Sequence, residues 1–281
     1  MKKQYFLLCL VFVITVLAVG CGAKQPEEPV LYSNLTEESV RFDLDSLMRS
    51  AGFSDHHRAV FFEHVDQINE IMKPEQLTHG FEALGEPKYD PYAVQDAWTA
   101  KHPEFLGYNC RITAFSLFAE HLLAMPEDVP VLDDNMILLD LDALQTDSSA
   151  DIPLQKFRAF YSNVPTEMTK DVNVHAEALA KSWHDRGIEF IDDPAARLIS
   201  VVFHAEGDPQ SYLFIGHTGI LLPTPDGDYW FMEKLSFQEP YQVVKFQNRE
   251  QLSRYLMKKY DLDQNQPVAK PFIMENDVLM K

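Results

Sequence analysis

Hydrophobic positions follow a helical spacing through most of the chain and a strand-like spacing after about residue 196. Apolar side chains that recur every three or four residues predict helices over 36–50, 54–72, 91–99, 109–124, 153–161 and 173–186. Ser54 is placed to cap the second of these helices. A short apolar run at 135–140 interrupts the helical pattern and predicts a buried strand.

The last part of the chain is rich in β-branched and aromatic residues, in runs separated by Gly, Pro and Asp. These runs predict strands over 197–205, 212–222, 229–235 and 242–246, then a helix to residue 259 capped by Asn248, and an edge strand within 271–280. Helices first and strands later favour the α+β class over a doubly wound parallel fold. We therefore expect a helical N-terminal half packed on a C-terminal antiparallel sheet.

The first twenty residues do not share this pattern. Lys2 and Lys3 precede an apolar run from Tyr5 to Val19, which is short for a membrane span, and Gly20-Cys21 follows at once. This segment resembles a bacterial lipoprotein signal peptide over residues 1–20. The resemblance implies cleavage before Cys21 and acylation of its sulfur. An ordinary secretory peptide cut at a small residue is the alternative.

A polar, proline-containing stretch follows the cysteine, so residues 21–30 are interpreted as the acylated cysteine and a tether. Extended, residues 22–29 reach only about 25–30 Å. Residues 31–281 would then form a single α+β domain, lipid-anchored at the outer face of the bacterial cytoplasmic membrane. We expect it to be a monomer whose membrane contact is the lipid on Cys21.

The charge balance narrows the classes of partner. The 43 acidic and 24 basic residues give a formal charge of -19, so there is no basic stripe for a nucleic acid to bind. Hydrophobic residues make up 46% of the chain, which excludes an intrinsically disordered protein. The sequence therefore predicts a folded, exported body that does not bind nucleic acid.

The small number of cysteines draws attention to one candidate nucleophile. Cys9 lies in the signal segment and Cys21 is assigned to lipid, which leaves Cys110 as the one free thiol of the mature protein. Cys110 falls in the first turn of a predicted helix, where unpaired N–H groups and the helix dipole favour a thiolate. An inert core cysteine is the alternative.

A nucleophilic thiol needs a base, and His217 lies on a predicted strand between two glycines. If the next turn spans 223–227, Leu222 pairs with Asp228 and Glu233 lies directly opposite His217 on the same face. The sequence thus predicts a catalytic triad of Cys110, His217 and Glu233. A buried structural histidine is the alternative reading of His217. His204 is the rival base.

Three neighbours of Cys110 are weaker candidates. Tyr108 and Asn109 could donate to an oxyanion or position a substrate, or they could be a packed aromatic and a helix cap. Arg111 could recognise a carboxylate or form an ordinary salt bridge.

His56, His57 and His64 lack the i, i+4 spacing of a helical zinc site, so we expect neither a metal nor another cofactor.

A cysteine at a helix start, then a histidine on one strand and a polar residue on the next, resembles the papain-like thiol hydrolases. Residues 216–220 (GHTGI) are similar to the histidine strand of NlpC-type cell-wall amidases and peptidases. The resemblance implies a papain-like architecture and a thiol hydrolase acting on cell-wall peptide or another exported substrate. A catalytically inactive papain-like binding lipoprotein is the main alternative, followed by a structural or adhesive module.

Most of the chain resembles a second group, the bacterial lipoproteins catalogued as domain of unknown function number 4300. The segments that carry this resemblance are 32–35 (YSNL), 109–115 (NCRITAF), 216–219 (GHTG), 233–234 (EK) and 237–242 (FQEPYQ). This family implies no activity, so the hydrolase hypothesis rests on the residues themselves.

Overall fold

A computed structural model describes residues 28–119, 122–124, 132–147, 152–191 and 195–280. The predicted signal peptide, Cys21 and most of the tether lie outside these residues. The described helices are α1 (Glu38–Ser50), α2 (Asp55–Asn69), α3 (Pro91–Lys101), α4 (Cys110–Phe118), α5 (Leu138–Thr146), α6 (Leu154–Tyr161), α7 (Val172–Asp185) and α8 (Arg249–Tyr260). The described strands are β1 (Leu31–Ser33), β2 (Glu82–Ala83), β3 (Leu122–Ala124), β4 (Val164–Pro165), β5 (Glu189–Phe190), β6 (Arg197–Ala205), β7 (Tyr212–Pro223), β8 (Tyr229–Lys234), β9 (Tyr241–Phe246), β10 (Phe272–Glu275) and β11 (Val278–Leu279).

One antiparallel sheet organises the described part of the chain and confirms the α+β class. Its nine strands include the order β11-β10-β6-β7-β8-β9-β1-β2, with β4 paired to β7. The four long strands predicted from the sequence, β6 to β9, lie next to one another at its centre. A small second sheet pairs β3 with β5.

The two faces of the sheet bury different sets of side chains, because successive residues of a strand point to opposite sides. Ile220 packs in the larger core cluster, which also contains Ile112 of α4. Its neighbour Leu221 packs in a smaller cluster with Leu252 of α8. The sheet is therefore covered by most of the helices on one face and by α8 on the other.

Local capping signals are confirmed at three helices. The side chains of Ser54, Asn109 and Asn248 accept backbone N–H groups at the starts of α2, α4 and α8. Trp230 and Phe231 on β8 and Tyr241 on β9 are all buried.

Two element predictions are wrong. The run at 135–140 is a turn leading into α5, because a short apolar run fits a buried helix as well as a strand. The helix predicted over 109–124 ends at Phe118, and Leu122–Ala124 pairs with Glu189–Phe190 as a strand. The sheet also takes three short strands, β1, β2 and β4, from the half of the chain predicted to be helical.

Candidate active site

Cys110 is the first residue of α4, and Asn109 caps the helix by accepting the N–H of Ile112 at 3.0 Å. The chain enters this cap through Gly107, which has a φ of +101°. Glycine adopts that backbone conformation without the strain that a side chain would cause. The Cys110 side chain is buried, and its sulfur lies 3.9 Å from the carbonyl oxygen of Gly216 on β7. The start of α4 therefore faces the histidine strand.

His217 follows a β-bulge in β7. Val202 pairs with Ile215 whereas Val201 pairs with His217, so Gly216 is the extra residue. A side chain at Gly216 has no room, since a Cβ there would lie 2.5 Å from the ring of Phe203. An extra residue reverses the alternation of side chains along the strand. The bulge therefore decides on which face the imidazole lies.

Glu233 on β8 completes the cluster. The Nε2 atom of His217 lies 2.6 Å from Oε2 of Glu233. The other carboxylate oxygen accepts hydrogen bonds from Nε2 of Gln242, at 2.7 Å, and from the hydroxyl of Tyr255. Both carboxylate oxygens are thus satisfied, which fixes the orientation of the carboxylate and hence of the imidazole.

The register predicted for this hairpin is wrong by two residues. Leu222 pairs with Trp230, not with Asp228, because Pro223 stays in the strand and pairs with Tyr229. A shift of two residues keeps every side chain on its predicted face. Glu233 therefore reaches His217 diagonally instead of from the directly opposite position.

The electrostatics favour a thiolate beside an imidazolium. Burial raises the pKa of the Cys110 thiol, but the neighbouring His217 and the charge of Arg111 lower it by more, so the net pKa is lowered. Burial lowers the pKa of His217, whereas Cys110 and Glu233 raise it to about 9. Burial raises the pKa of Glu233, and its hydrogen bond to His217 brings it below the ordinary value. The remaining ring nitrogen, Nδ1, is buried without a hydrogen-bond partner among the described residues. Because Nε2 is held by Glu233, Nδ1 is the ring nitrogen available to a further partner.

Arg111 and Asn109 both bind the buried carboxylate of Asp140. The guanidinium of Arg111 donates to Asp140 at 2.6 and 2.8 Å and to the carbonyl of Ile215 at 2.9 Å. The amide of Asn109 donates to the same carboxylate at 2.8 Å. Asp140 thereby connects α5 to the start of α4, and Arg111 connects this pair to β7. The sequence left two roles open for Arg111, recognition of a substrate carboxylate or an ordinary salt bridge. The structure contains the salt bridge, with Asp140.

Tyr108 packs away from solvent. Its ring stacks on His64 at 3.8 Å, and its hydroxyl donates to Asp147. Burial lowers the pKa of His64 to about 4. The rival base His204 contacts His175 ring to ring at 4.2 Å and accepts the backbone N–H of Ala269.

The cluster is closed to solvent in this structure. The exposed fractions are 5% for Cys110 and 1% each for His217 and Glu233. The partly exposed ring of Tyr260, the last residue of α8, stacks on His217 at a centroid distance of 5.0 Å. A substrate would therefore reach the thiol only if a covering side chain moved.

A family model described as a domain of unknown function (DUF4300) matches residues 31–280. The chain belongs to this family. Comparisons with curated proteins and with solved structures gave no significant match. In the described part of this DUF4300 chain, no helix is both long and apolar enough to cross a bilayer.

The segments that first indicated the DUF4300 family meet around the site. Tyr32 in β1 pairs with Val244 in β9, and the side chain of Asn34 donates to the carbonyl of Tyr241 at 2.9 Å. The cysteine, histidine and glutamate segments lie on α4, β7 and β8. The 32–35 stretch thus contacts β9, whose Gln242 donates to Glu233 of the cluster.

Sequence reasoning missed several members of the cluster, namely Asp140, Gln242, Tyr255 and Tyr260. Gln242 and Tyr255 hold Glu233, and they belong to a strand and a helix that were both predicted. Period-two alternation along β9 could have placed Gln242 on the face of Glu233. Asp140 was missed because residues 135–140 were predicted to be a strand, and the helix that carries this side chain was not recognised.

Proposed function

We propose that this protein is a membrane-anchored lipoprotein that acts outside the cytoplasm as a thiol hydrolase, an amidase or peptidase of papain-like architecture. The observation that carries the proposal is the buried hydrogen bond between His217 and Glu233, with the sulfur of Cys110 at 3.9 Å from the carbonyl oxygen of Gly216, the residue before the histidine. A nucleophile, a base and a group that orients the base are the parts that covalent acyl transfer requires.

The proposed reaction begins with attack of the Cys110 thiolate on the substrate carbonyl carbon, forming a C–S bond and a tetrahedral oxyanion. The N–H groups of the first turn of α4, which have no partner within the helix, would stabilise this oxyanion. The His217 imidazolium then gives its proton to the leaving amine as the C–N bond breaks. The neutral imidazole next takes a proton from water, whose oxygen attacks the thioester and releases the acid and the thiolate. Glu233 holds the ring through both steps.

Cell-wall peptide, or another exported substrate, is the proposed target. The resemblance of residues 1–20 to a lipoprotein signal supports a location at the outer face of the cytoplasmic membrane. A tether reaching about 25–30 Å would keep the domain close to that membrane. The strongly acidic composition supports lipid, and not surface charge, as the membrane contact.

A catalytically inactive binding lipoprotein is the second candidate, favoured by one observation. Cys110 and His217 are almost fully buried, and Tyr260 covers the imidazole. A thiol that never meets a substrate would show the same burial. The two candidates differ in whether the thiol is reactive in the folded protein.

The test is the rate of iodoacetamide alkylation of Cys110 against pH, with the labelled residue identified by mass spectrometry. The hydrolase predicts rapid labelling well below the pKa of ~8.5 of an ordinary cysteine. His217→Ala should shift the profile back toward that ordinary value, whereas His184→Ala, which removes an exposed histidine, should not. Identical profiles for wild type and His217→Ala, or labelling only on unfolding, would favour the binding lipoprotein.

A further inference from the structure

A cavity lies behind Glu233, between α8, β9 and the loop that follows β2. Its volume is about 300 Å³, at the lower end of the range of ~300–1,000 Å³ for small-molecule pockets. Aromatic and apolar side chains form much of its wall, including Tyr32, Tyr89 and Leu235. We call this cavity the α8 cleft.

The α8 cleft shares a wall with the triad. Gln242 and Tyr255 line it, and both donate hydrogen bonds to the Oε1 atom of Glu233. These two side chains are held in place by the buried carboxylate. The inner wall of the cleft is therefore preorganised, as small-molecule sites usually are.

Two cationic side chains line the α8 cleft, although the protein as a whole is acidic. Lys258 and Lys259 line it, and the only acidic residue among its lining residues is Glu86. The nitrogen of Lys259 lies 5.7 Å from the centre of the Tyr255 ring, and the charge of Lys259 helps to lower the pKa of Glu233 behind the inner wall. Lysines often end a helix because they oppose its dipole. Here they also border a cavity, on a chain of formal charge -19.

We propose that the α8 cleft binds a small organic anion. Its anionic group would pair with Lys258 and Lys259, and its apolar body would pack between Tyr32, Tyr89 and Leu235. Tyr255 and Gln242 would form the inner wall against which the ligand packs. This proposal does not depend on the hydrolase.

The test is a calorimetric titration of the purified mature protein with 2-naphthoate and with 2-naphthamide. The two probes share one ring system and differ in the charge of one group. We expect saturable binding of naphthoate and binding of naphthamide that is weaker by roughly tenfold. Equal affinity for the two probes, or no saturable binding of naphthoate, would overturn the proposal.

The double variant Lys258→Gln/Lys259→Gln should weaken naphthoate binding about tenfold and leave naphthamide binding unchanged. The double variant Lys170→Gln/Lys181→Gln removes the same charge from exposed positions elsewhere and should leave both affinities unchanged. Equal effects of the two double variants would show attraction by overall charge alone and would overturn the proposal. Circular dichroism checks that each variant is folded.

Cys110→Ala separates this proposal from the hydrolase. The variant lacks the nucleophile, and Cys110 does not line the α8 cleft. Naphthoate should bind it with the affinity of the wild type, whether or not the thiol is reactive in the wild type. Loss of binding in Cys110→Ala would contradict a separate anion site.

Discussion

The imidazole of His217 and the carboxylate of Glu233 share a hydrogen bond of 2.6 Å, although the two residues are not opposite each other in the sheet. The bulge at Gly216 sets the face on which His217 lies, and the hairpin register sets a diagonal approach by Glu233. Gln242 and Tyr255 hold the second carboxylate oxygen. An unpaired buried carboxylate would cost several kcal/mol, so this bond is a fixed part of the fold.

Glu233→Gln should reduce the reactivity of Cys110 less than His217→Ala does. An amide can still accept the N–H of the imidazole, but it cannot support the imidazolium charge. We therefore expect the alkylation profile of Glu233→Gln to lie between those of wild type and His217→Ala. If Glu233→Gln reduced the alkylation rate of Cys110 as much as His217→Ala does, the negative charge of Glu233, and not only its orientation of the ring, would be essential.

The raised pKa of His217 should appear as a pH dependence of stability once the thiol is removed. A raised folded-state pKa stabilises the fold below the unfolded value of 6.5, and this contribution is lost as pH rises toward the folded value. In wild type the thiol, with its lowered pKa, releases the proton that the ring takes up, so the two effects largely cancel.

In Cys110→Ala, Glu233 alone should keep the pKa of His217 raised, to a smaller extent than in wild type, so the free energy of unfolding should fall as pH rises above 6.5. Adding Glu233→Gln should remove most of this slope, because the carboxylate is then the charge that raises the pKa of His217. Urea denaturation across the pH range measures both. Parallel slopes in the two proteins would mean that Glu233 does not set the pKa of the ring.

Asp140→Ala should destabilise the protein by roughly 3–5 kcal/mol, because it leaves the guanidinium of Arg111 buried without its carboxylate. Lys181→Ala, which breaks an exposed ion pair with Asp185, should change stability by less than about 0.5 kcal/mol. Chemical denaturation compares the two variants. A small loss in Asp140→Ala would show that solvent or another acceptor replaces the carboxylate.

Gly219→Ala should destabilise the histidine strand by about 1–3 kcal/mol. A Cβ at this position would lie 2.5 Å from the ring of Phe231 and 2.6 Å from the carbonyl oxygen of Met232. At Gly85 a Cβ meets nothing within 4 Å, so Gly85→Ala is the matched control and should be tolerated. Similar melting temperatures for the two variants would be inconsistent with this packing.

Cys21→Ser should release the protein from the membrane fraction, as unprocessed precursor or soluble product, while the domain stays folded. The proposed tether contributes no predicted core residue, and two acyl chains are what a stable lipid anchor requires. Cell fractionation and the mass of the N-terminus measure the outcome. Normally matured, membrane-bound Cys21→Ser protein would exclude the lipoprotein assignment.

Much of the site follows from residue types in their local context. Asn109 before Cys110 predicts a capped helix with a thiol at its start, and the alternating run around His217 predicts a strand. Glu233 could be placed on the face of His217 from hairpin geometry alone, even though the register was two residues off. That error kept the correct face because side chains alternate with a period of two.

Signals that lie within a few residues of one another were enough to predict the caps at Ser54, Asn109 and Asn248, the long central strands and the family segments. The pairing of β1 with β9, the bulge at Gly216 and the burial of the cluster under Tyr260 became visible only in the folded chain. Strands of two or three residues carry no periodicity of their own, and a bulge depends on the partner strand. Such features arise from contacts between residues far apart in the chain, and these contacts exist only once the sheet has formed.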